Sequence, residues 1–181
     1  MDAGTGLNTD GGANAFTIDI SNTSADAGDL ASIHAKTSLT VALDTVQTLT
    51  GTFAELKQYI TDQAQYTSKN GITTVTFDAE NIDGAGGRGS VTELVSFITD
   101  IRDTGDGHGN PAINIDNVTL LSGGLADITS VRTAASLTGF ADIDVTVTGG
   151  AISIANANTL SGATTGIVTA SISDSLSNFL H

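Results

Sequence analysis

The sequence resembles itself at several offsets, and this internal repetition constrains its fold more than any other feature. Residues 41–56, VALDTVQTLTGTFAEL, align without gaps with residues 113–128, INIDNVTLLSGGLADI. Residues 18–33 and 152–162 follow the same pattern, and residues 75–100 follow it with four extra residues in the NIDGAGGR region. Repeats of this length indicate stacked units, because one such unit cannot bury its apolar side alone.

Each unit is predicted to hold one strand and usually one helix. Apolar residues alternate at the start of each unit, which is typical of one buried face of a strand. Strands are therefore expected to begin near residues 18, 41, 75, 113 and 152, with further strands at 142–147 and 166–172. The spacing of Phe53, Leu56 and Ile60, and of Val91, Leu94 and Ile98, predicts one apolar face on each of two helices.

These patterns predict an α/β fold made of parallel strands. The specific expectation is a right-handed α/β solenoid of stacked strand-helix repeats, following the logic of leucine-rich repeats. Residues 141–172 contain strand-like runs and almost no helix pattern, so the later coils are expected to be more β-rich. The whole chain, 1–181, is treated as one domain taken from a longer repeat protein. A conventional doubly wound α/β sheet is the alternative.

Composition excludes several functions. The chain carries 20 acidic and 6 basic side chains, a net charge of −14, which argues against binding to nucleic acid or to an anionic membrane surface. It has no cysteine, so disulfides, thiolate metal sites and cysteine nucleophiles are ruled out. No apolar run is long enough to span a membrane, and membrane insertion is not expected.

A glycine loop raises the question of nucleotide binding. Gly84, Gly86 and Gly89 spell G-x-G-x-x-G between a predicted strand and a predicted helix, the context of a dinucleotide-binding fingerprint. However, Gly84 stands well beyond Asp78, where the strand ends, whereas the fingerprint follows its strand almost directly. The sister units make the same passage with one glycine. The loop is therefore predicted to be a mobile insertion rather than a phosphate cradle.

Acidic side chains are the candidate metal ligands. Asp44, Asp78 and Asp116 share one position in the aligned units and are predicted to stack as a ladder. Such a ladder has three interpretations: aspartates that bond to the following amides, a row bridged by calcium, or a catalytic carboxylate cluster. Two oxygen-rich loops, 78–84 and 103–110, add further ligands, although neither matches an EF-hand. The calcium set is Asp44, Asp78, Glu80, Asp83, Asp103, Asp106 and Asp116, with Asn110 as a further oxygen donor.

Histidines and threonines carry less information. His34, His108 and His181 have no partner at metal-ligand spacing, and no nucleophile triad or P-loop is present in the sequence. The pairs Thr74/Thr76 and Thr146/Thr148 place hydroxyls on a strand face, where regular ranks of threonine can order water. These positions do not recur in every aligned unit, so β-propensity is the preferred explanation.

Two stretches, LSGATTGIVTASISD (160–174) and VALDTVQTLTGTFAEL (41–56), resemble repeats of very large secreted bacterial surface proteins. Those proteins are described as hemolysin-type, adhesin-like or S-layer-associated and are frequent in marine cyanobacteria. The resemblance covers most of the chain from Ile18 onward and implies an extracellular structural or adhesive role. The calcium nonapeptide of such proteins is absent here, because Val91 stands where its aspartate belongs.

Three functions follow as expectations. The first is a non-enzymatic structural or adhesive repeat module of a large extracellular bacterial surface protein, located at the cell surface or secreted. The second is a calcium-dependent module that binds glycans or other surface polymers. A polysaccharide-active enzyme ranks behind both. The expected partners are neighbouring repeats or like subunits, joined end to end, and no cofactor other than calcium is expected.

Overall fold

The computed structural model describes residues 15–86 and 88–174, which form twelve strands and five α-helices. The strands are β1 Ile18–Asp19, β2 Ser24–Asp26, β3 Val41–Ala42, β4 Thr48–Gly51, β5 Tyr66–Thr67, β6 Thr74–Phe77, β7 Glu80–Ile82, β8 Ala112–Asn114, β9 Val118–Gly124, β10 Leu137–Thr138, β11 Asp144–Thr148 and β12 Val168–Thr169. The helices are α1 Ala27–His34, α2 Phe53–Thr61, α3 Val91–Asp100, α4 Leu125–Thr133 and α5 Ile154–Ser161. Helices alternate with groups of strands along the chain, so the predicted α/β class is confirmed.

The strands form three sheets in which every pairing is parallel. The first sheet has the order β1-β3-β5, the second β2-β4-β6-β8-β10, and the third β7-β9-β11-β12. Parallel strands need a crossover between them, and here each crossover includes a helix or a long loop. Only the second sheet extends over five units of the chain.

The pairing register gives the spacing between units. In the second sheet Ala25 pairs with Leu49, Leu49 with Val75, Val75 with Ile113, and Ile113 with Leu137. These intervals are nearly equal except for the long one between Val75 and Ile113. The long interval contains the glycine loop and the loop between α3 and β8, and the third unit has an extra strand, β7, before its helix. Units before it contribute to the first and second sheets, and units after it contribute to the second and third.

The core consists of the inward positions of neighbouring strands, as period-2 alternation predicts. Leu49, Val75 and Ile113 pair across the second sheet and are fully buried. Val145 of the third sheet pairs with Leu121 and is buried in the same way. The core has few aromatic residues, and its layers are held together by small apolar side chains that repeat from strand to strand.

Local signals explain where the helices begin. Thr52 and Ser90 cap α2 and α3, and each forms a capping box with a glutamate three residues later, Glu55 or Glu93. The apolar face predicted for α3 is confirmed, because Val91, Leu94 and Ile98 are buried. On α2 the face is turned slightly: Phe53, Leu56 and Tyr59 are buried, while Ile60 is half-buried.

Two predictions about the units are wrong. Each unit has at least two strands before its helix rather than one, because residues such as 48–51 and 118–124 also pair as strands. The predicted equivalence of residues 41 and 75 also fails. Val41 pairs with Tyr66 in the first sheet, whereas Val75 pairs with Leu49 in the second. The aligned sequences are similar, but β5 takes the place beside β3, so β6 stacks on β4 instead.

The expectation of β-rich later coils is wrong for residues 152–162. Helix α5 occupies most of this segment, and only Ile152 forms a β-bridge, with Ile172. Ser153 caps the helix by accepting a hydrogen bond from the Asn156 amide, and Leu160 is its buried residue. The small residues between these positions suit either a strand or a helix, so the cap and the packing decided the outcome. The strands predicted near 142–147 and 166–172 are confirmed as β11 and β12.

Candidate functional site

Acidic side chains meet where strands β2, β4 and β6 of the second sheet end. Asp26 is the last residue of β2, and Asp78 directly follows β6. Glu55 reaches the same place from the first turn of α2, which begins just after β4. The carboxyl ends of parallel strands share one edge of a sheet, and ligands of α/β proteins commonly bind there. Oxygen atoms of these three carboxylates lie within 4.8 Å of one another. We call Asp26, Glu55 and Asp78 the carboxylate cluster.

Two members of the cluster hold helix N-termini. Asp26 caps α1: its Oδ1 accepts hydrogen bonds from the amides of Gly28 at 2.9 Å and Asp29 at 3.1 Å. Glu55 Oε2 accepts from the amide of Thr52 at 2.8 Å and so closes the capping box of α2. Amide hydrogen bonds and the positive end of each helix stabilise these negative charges.

Glu80 flanks the cluster and acts on the same helix. Its Oε1 accepts a hydrogen bond from the amide of Phe53, the first residue of α2, at 2.5 Å. Glu80 belongs to β7, the extra strand, and therefore links the third sheet to the end of the second. The amides at the start of α2 thus donate hydrogen bonds to two carboxylates, those of Glu55 and Glu80, which are distant from each other in sequence.

The electrostatics of the site favour proton or cation uptake. Partial burial raises the pKa of Asp78, and the charges of Asp26 and Glu55 raise it further. Burial likewise raises the pKa of Glu80, which the amide of Phe53 lowers and the charges of Asp78 and Glu55 raise. Among the described residues, the two side-chain ion pairs are Lys57 with Glu93 and Arg88 with Asp83, so no basic side chain neutralises the cluster.

Glycines leave room for the Glu55 carboxylate. A Cβ atom on Gly28 would lie 2.6 Å from Glu55 Oε1. Gly51 has a φ of +153°, and a Cβ there would lie 3.4 Å from Glu55 Oε2. A side chain at position 28 would displace the Glu55 carboxylate, whereas at position 51 the positive φ, rather than a close contact, favours glycine. The position of the Glu55 carboxylate therefore depends on glycine at the start of α1.

The structure brings two of the predicted calcium ligands, Asp78 and Glu80, into this site, and it places the other five elsewhere. Asp83 forms an ion pair with Arg88, whose Nη2 lies 2.7 Å from Oδ2, and this hydrogen bond lowers the pKa of Asp83. Asp103 accepts a hydrogen bond from the amide of Gly105 at 2.8 Å, and Asp106 accepts one from Gln63 Nε2 at 2.9 Å. Asp44 and Asp116 are exposed.

The predicted ladder of Asp44, Asp78 and Asp116 does not form. Asp44 follows a strand of the first sheet, whereas Asp78 and Asp116 follow neighbouring strands of the second. The register that pairs Val41 with Tyr66 removes Asp44 from the row. The oxygen-rich loop 103–110 does not complete a ligand set either. Its Asn110 adopts a left-handed conformation with a φ of 56°, which suits a turn.

The glycine loop is closed by its own hydrogen bonds. The amide of Gly84 donates to the carbonyl of Gly89 at 3.0 Å, and the Asp83–Arg88 ion pair crosses the same loop. Gly89 packs so closely on the ring of Phe53 that a Cβ atom would lie 1.6 Å from Cδ1. The following helix, α3, already has its N-terminus capped by its own capping box. The three glycines therefore serve the loop's turn and its packing, and the mobility expected of this insertion stays a prediction.

The histidines are not part of the carboxylate cluster, whereas the threonines border it, because Thr50 Oγ1 donates a hydrogen bond to Asp26 Oδ2 at 3.5 Å. His34 ends α1 and packs against the ring of Tyr66, and His108 is buried against Tyr59. His181 lies outside the described residues. The threonines of β6, Thr74 and Thr76, pair with two threonines of β4, Thr48 and Thr50. The sequence alignment did not show this pairing. At the paired positions, β2 has Ser24 and Asp26, and β8 has Ala112 and Asn114. The row of paired threonines is therefore two strands wide.

Asp26 and Glu55 are the site residues that the sequence analysis missed. Both were visible as helix-start signals, since T-x-x-E at 52–55 is a capping box and an aspartate commonly precedes a helix. What the sequence did not show is that β2, β4 and β6 are neighbours. Asp78 is far from Asp26 along the chain, and only the register of the second sheet brings them together.

Comparisons with protein-family models, curated protein sequences and solved structures gave no match. Within the part of the chain that the structure describes, no helix is both long and apolar enough to cross a membrane. Inference about function therefore rests on the repeated architecture and on the geometry of the carboxylate cluster.

Proposed function

We propose that this chain is a non-enzymatic structural or adhesive repeat module of a large extracellular bacterial surface protein. In this proposal its strands and helices form a right-handed α/β solenoid, secreted or located at the cell surface. The observation that carries the proposal is the regular register of the parallel strands. Apart from the two long intervals, the one from β6 to β8 and the one from β7 to β9, the intervals between paired positions are nearly equal in all three sheets.

A regular register makes each unit dependent on its neighbours. Val75, for example, lies between Leu49 on one strand and Ile113 on the next, and each of these residues is fully buried. A stack of this kind grows or shortens by whole units, and its stability is close to a sum over units and their contacts. Such a body suits a spacer that holds binding surfaces apart, because its length scales with the number of repeats.

Deletion of one unit tests this architecture. Removing residues 113–136 places Leu137 where Ile113 pairs with Val75, and β11 takes the place of β9 beside β7. We expect this shortened protein to fold, with a cooperative urea transition at a lower midpoint and a smaller maximum dimension in X-ray scattering.

The matched control removes only residues 125–136, which deletes α4 and half of the unit. That protein is expected to lose cooperative unfolding, because the strands that follow cannot keep their register. A whole-unit deletion that fails to fold would contradict the repeat architecture. The half-unit control distinguishes a general tolerance of shortening from a requirement for whole units.

A calcium-dependent binding module for glycans or other surface polymers is the second candidate. The carboxylate cluster supports it, since Asp26, Glu55 and Asp78 offer three oxygen ligands within 4.8 Å of one another. Calcium prefers carboxylate and carbonyl oxygens and tolerates irregular geometry. A cation at this place would also relieve the repulsion that raises the pKa of Asp78.

Thermal melting in calcium, compared with magnesium at equal ionic strength, tests this second candidate. Binding to the folded state alone raises its stability by about 2.7 kcal/mol when calcium is at 100 times its Kd. The Asp78→Asn variant is expected to abolish the shift, whereas Asp44→Asn, which changes an exposed aspartate outside the cluster, is expected to retain it. Identical melting in both salts for the unsubstituted chain would reject the calcium site and leave the structural proposal intact.

A further inference from the structure

We propose that the loop of residues 103–110 opens locally while the rest of the molecule stays folded, and that this opening exposes the side chain of Tyr59. We call residues 103–110 the histidine loop, because the buried side chain of His108 attaches them to the core. Neither the repeat architecture nor a calcium site is needed for this opening. It depends on how the loop is attached, on the polar atoms beneath it and on its glycines.

The histidine loop is attached to its surroundings mainly by one side chain. His108 is 3% exposed, and its ring meets that of Tyr59 edge-on, with centroids 5.8 Å apart. Every other residue of the loop is exposed. Beyond residue 103, the described structure shows one hydrogen bond from the loop to another segment, which Gln63 Nε2 donates to Asp106 Oδ2 at 2.9 Å. The closed position of the loop therefore depends on the packing of one imidazole.

Polar atoms at and beneath the histidine loop are buried without hydrogen bonds. Neither ring nitrogen of His108 has a partner among the described residues. The hydroxyl of Tyr59, which is 1% exposed, and Oε1 of Gln63 are buried in the same way. These are four of the six such atoms in the described structure, so the closed loop has an unusual share of them. Opening lets water reach these groups and offsets part of the packing that is lost.

The closed backbone of the loop depends on glycine. Gly107 has a φ of +86°, which lies in the left-handed region. Gly109 lies so close to the Asn70 carbonyl that a Cβ atom would be 2.5 Å from its oxygen. Glycine loses more conformational freedom on ordering than any other residue, so the open loop gains entropy that the closed loop lacks.

The two ends of the histidine loop are fixed, so opening requires no change in the sheets. Ile101 and Pro111, on either side of the loop, are buried. Arg102 Nε donates a hydrogen bond to the Pro111 carbonyl at 3.2 Å, which joins the two ends to each other. The amide of Ala112, where β8 begins, donates to the Thr73 carbonyl at 2.8 Å. Opening between fixed ends is expected to cost less free energy than unfolding of the whole chain.

Nitration of Tyr59 by tetranitromethane tests the proposal on the full chain. Tyr59 and Tyr66 are its two tyrosines, peptide mapping distinguishes them, and no cysteine competes for the reagent. At about pH 8 imidazole is neutral in water as well, so proton uptake does not drive the opening. Nitration of Tyr59 is expected at a rate that changes little in low urea, because local opening exposes little surface.

Two substitutions in the loop are expected to shift this rate in opposite directions. His108→Leu keeps an apolar side chain against Tyr59 and removes the unpartnered nitrogens, so it should slow nitration of Tyr59 at least about tenfold. Gly107→Ala places a Cβ atom on a left-handed backbone and should speed nitration about five- to thirtyfold. A Cβ at position 107 would lie 3.6 Å from Lys69 Cε, an ordinary contact, so this effect comes from the backbone conformation.

The matched control is Gly149→Ala. Gly149 lies between β11 and α5, has a φ of +83° and has no heavy atom within 4 Å of a Cβ there. This change should lower the global stability much as Gly107→Ala does, and it should leave the nitration rate of Tyr59 unchanged. Nitration that rises with urea as steeply as global unfolding, or equal rates in all three variants, would overturn the proposal.

Discussion

At the scale of single residues, His108 shows how far packing can depart from sequence context. It lies in DTGDGHGN, a stretch of glycine and aspartate that is typical of an exposed turn, yet its side chain is only 3% exposed. Its ring packs edge-on against Tyr59, and neither ring nitrogen has a hydrogen-bond partner within the described structure. Gly107, with a φ of +86°, and Gly109, packed on the Asn70 carbonyl, let the loop insert this side chain.

His108 should make stability depend on pH. Burial and the nearby charge of Lys69 lower its pKa to about 4, although Asp106 and Asp103 act in the opposite direction. Since the ordinary value is 6.5, the unfolded chain takes up a proton before the folded chain does, and stability falls as pH drops from 6.5 towards 4. We expect a loss of about 1 to 2 kcal/mol between pH 7 and pH 5 that His108→Leu does not show.

Urea unfolding at a series of pH values measures this difference. The quantity to compare is the pH slope of the free energy of unfolding in the two proteins, because the many carboxylates titrate in both. Equal slopes between pH 7 and pH 5 would show that His108 is not held neutral in the folded state. An NMR titration of the ring gives the folded-state pKa directly.

At the scale of elements, the glycine loop is fitted to helix α2 through one contact. Phe53 begins α2 and is fully buried, and its ring stacks on Phe77 with centroids 5.8 Å apart. Phe97 of α3 meets the same ring edge-on at 5.9 Å. Gly89 closes this aromatic group from the loop side, where there is no space for a side chain. The loop therefore positions α3 relative to α2 through packing.

Gly89→Ala should destabilise the fold, because its methyl group would overlap the Phe53 ring. Overpacking of this kind typically costs about 1 to 3 kcal/mol. The matched control is Gly124→Ala, since Gly124 has a φ of −66° and no heavy atom within 4 Å of a Cβ there. That change should cost less than about 1 kcal/mol, mainly from its place as a helix cap. Similar urea midpoints for the two variants would contradict the role of the Gly89 contact.

At the scale of the whole molecule, charge opposes compactness. The chain has 20 acidic and 6 basic side chains, and the described residues contain two ion pairs between side chains. Most of the negative charge is thus balanced by solvent ions alone. Repulsion over the whole surface lowers stability at low ionic strength and is screened by added salt.

Raising sodium chloride from about 0.01 M to about 0.3 M should therefore increase the melting temperature. A gain of about 1 kcal/mol corresponds to a shift of about 2 to 4 °C for a chain of this size. Choline chloride at the same ionic strength should give an equal shift, because screening does not depend on the cation's identity. A fall in melting temperature with salt would contradict net repulsion, and a shift with sodium alone would indicate a bound ion.

Architecture was predictable where it depended on neighbours in the chain. Strands β6, β8 and β11 and the helix face of α3 follow from alternation and spacing, and the capping boxes mark where α2 and α3 begin. The parallel α/β class followed from the alternation of these elements. Residues 152–162 were not predictable in the same way, because small residues suit both a strand and a helix.

The candidate site, like the fold, was predictable only where it depends on neighbours in the chain. Local pattern identified Asp78 and Glu80 as acidic residues after a strand. The sequence by itself also determined which residues point inward, which residues cap a helix and how negative the molecule is. Tertiary structure decided which strands are neighbours. Strand β5 takes the place beside β3, so β6 stacks on β4 and Asp78 meets Asp26 and Glu55 instead of Asp44. Register between distant strands depends on the packing of whole units, and sequence similarity between units does not report an insertion's effect on that packing.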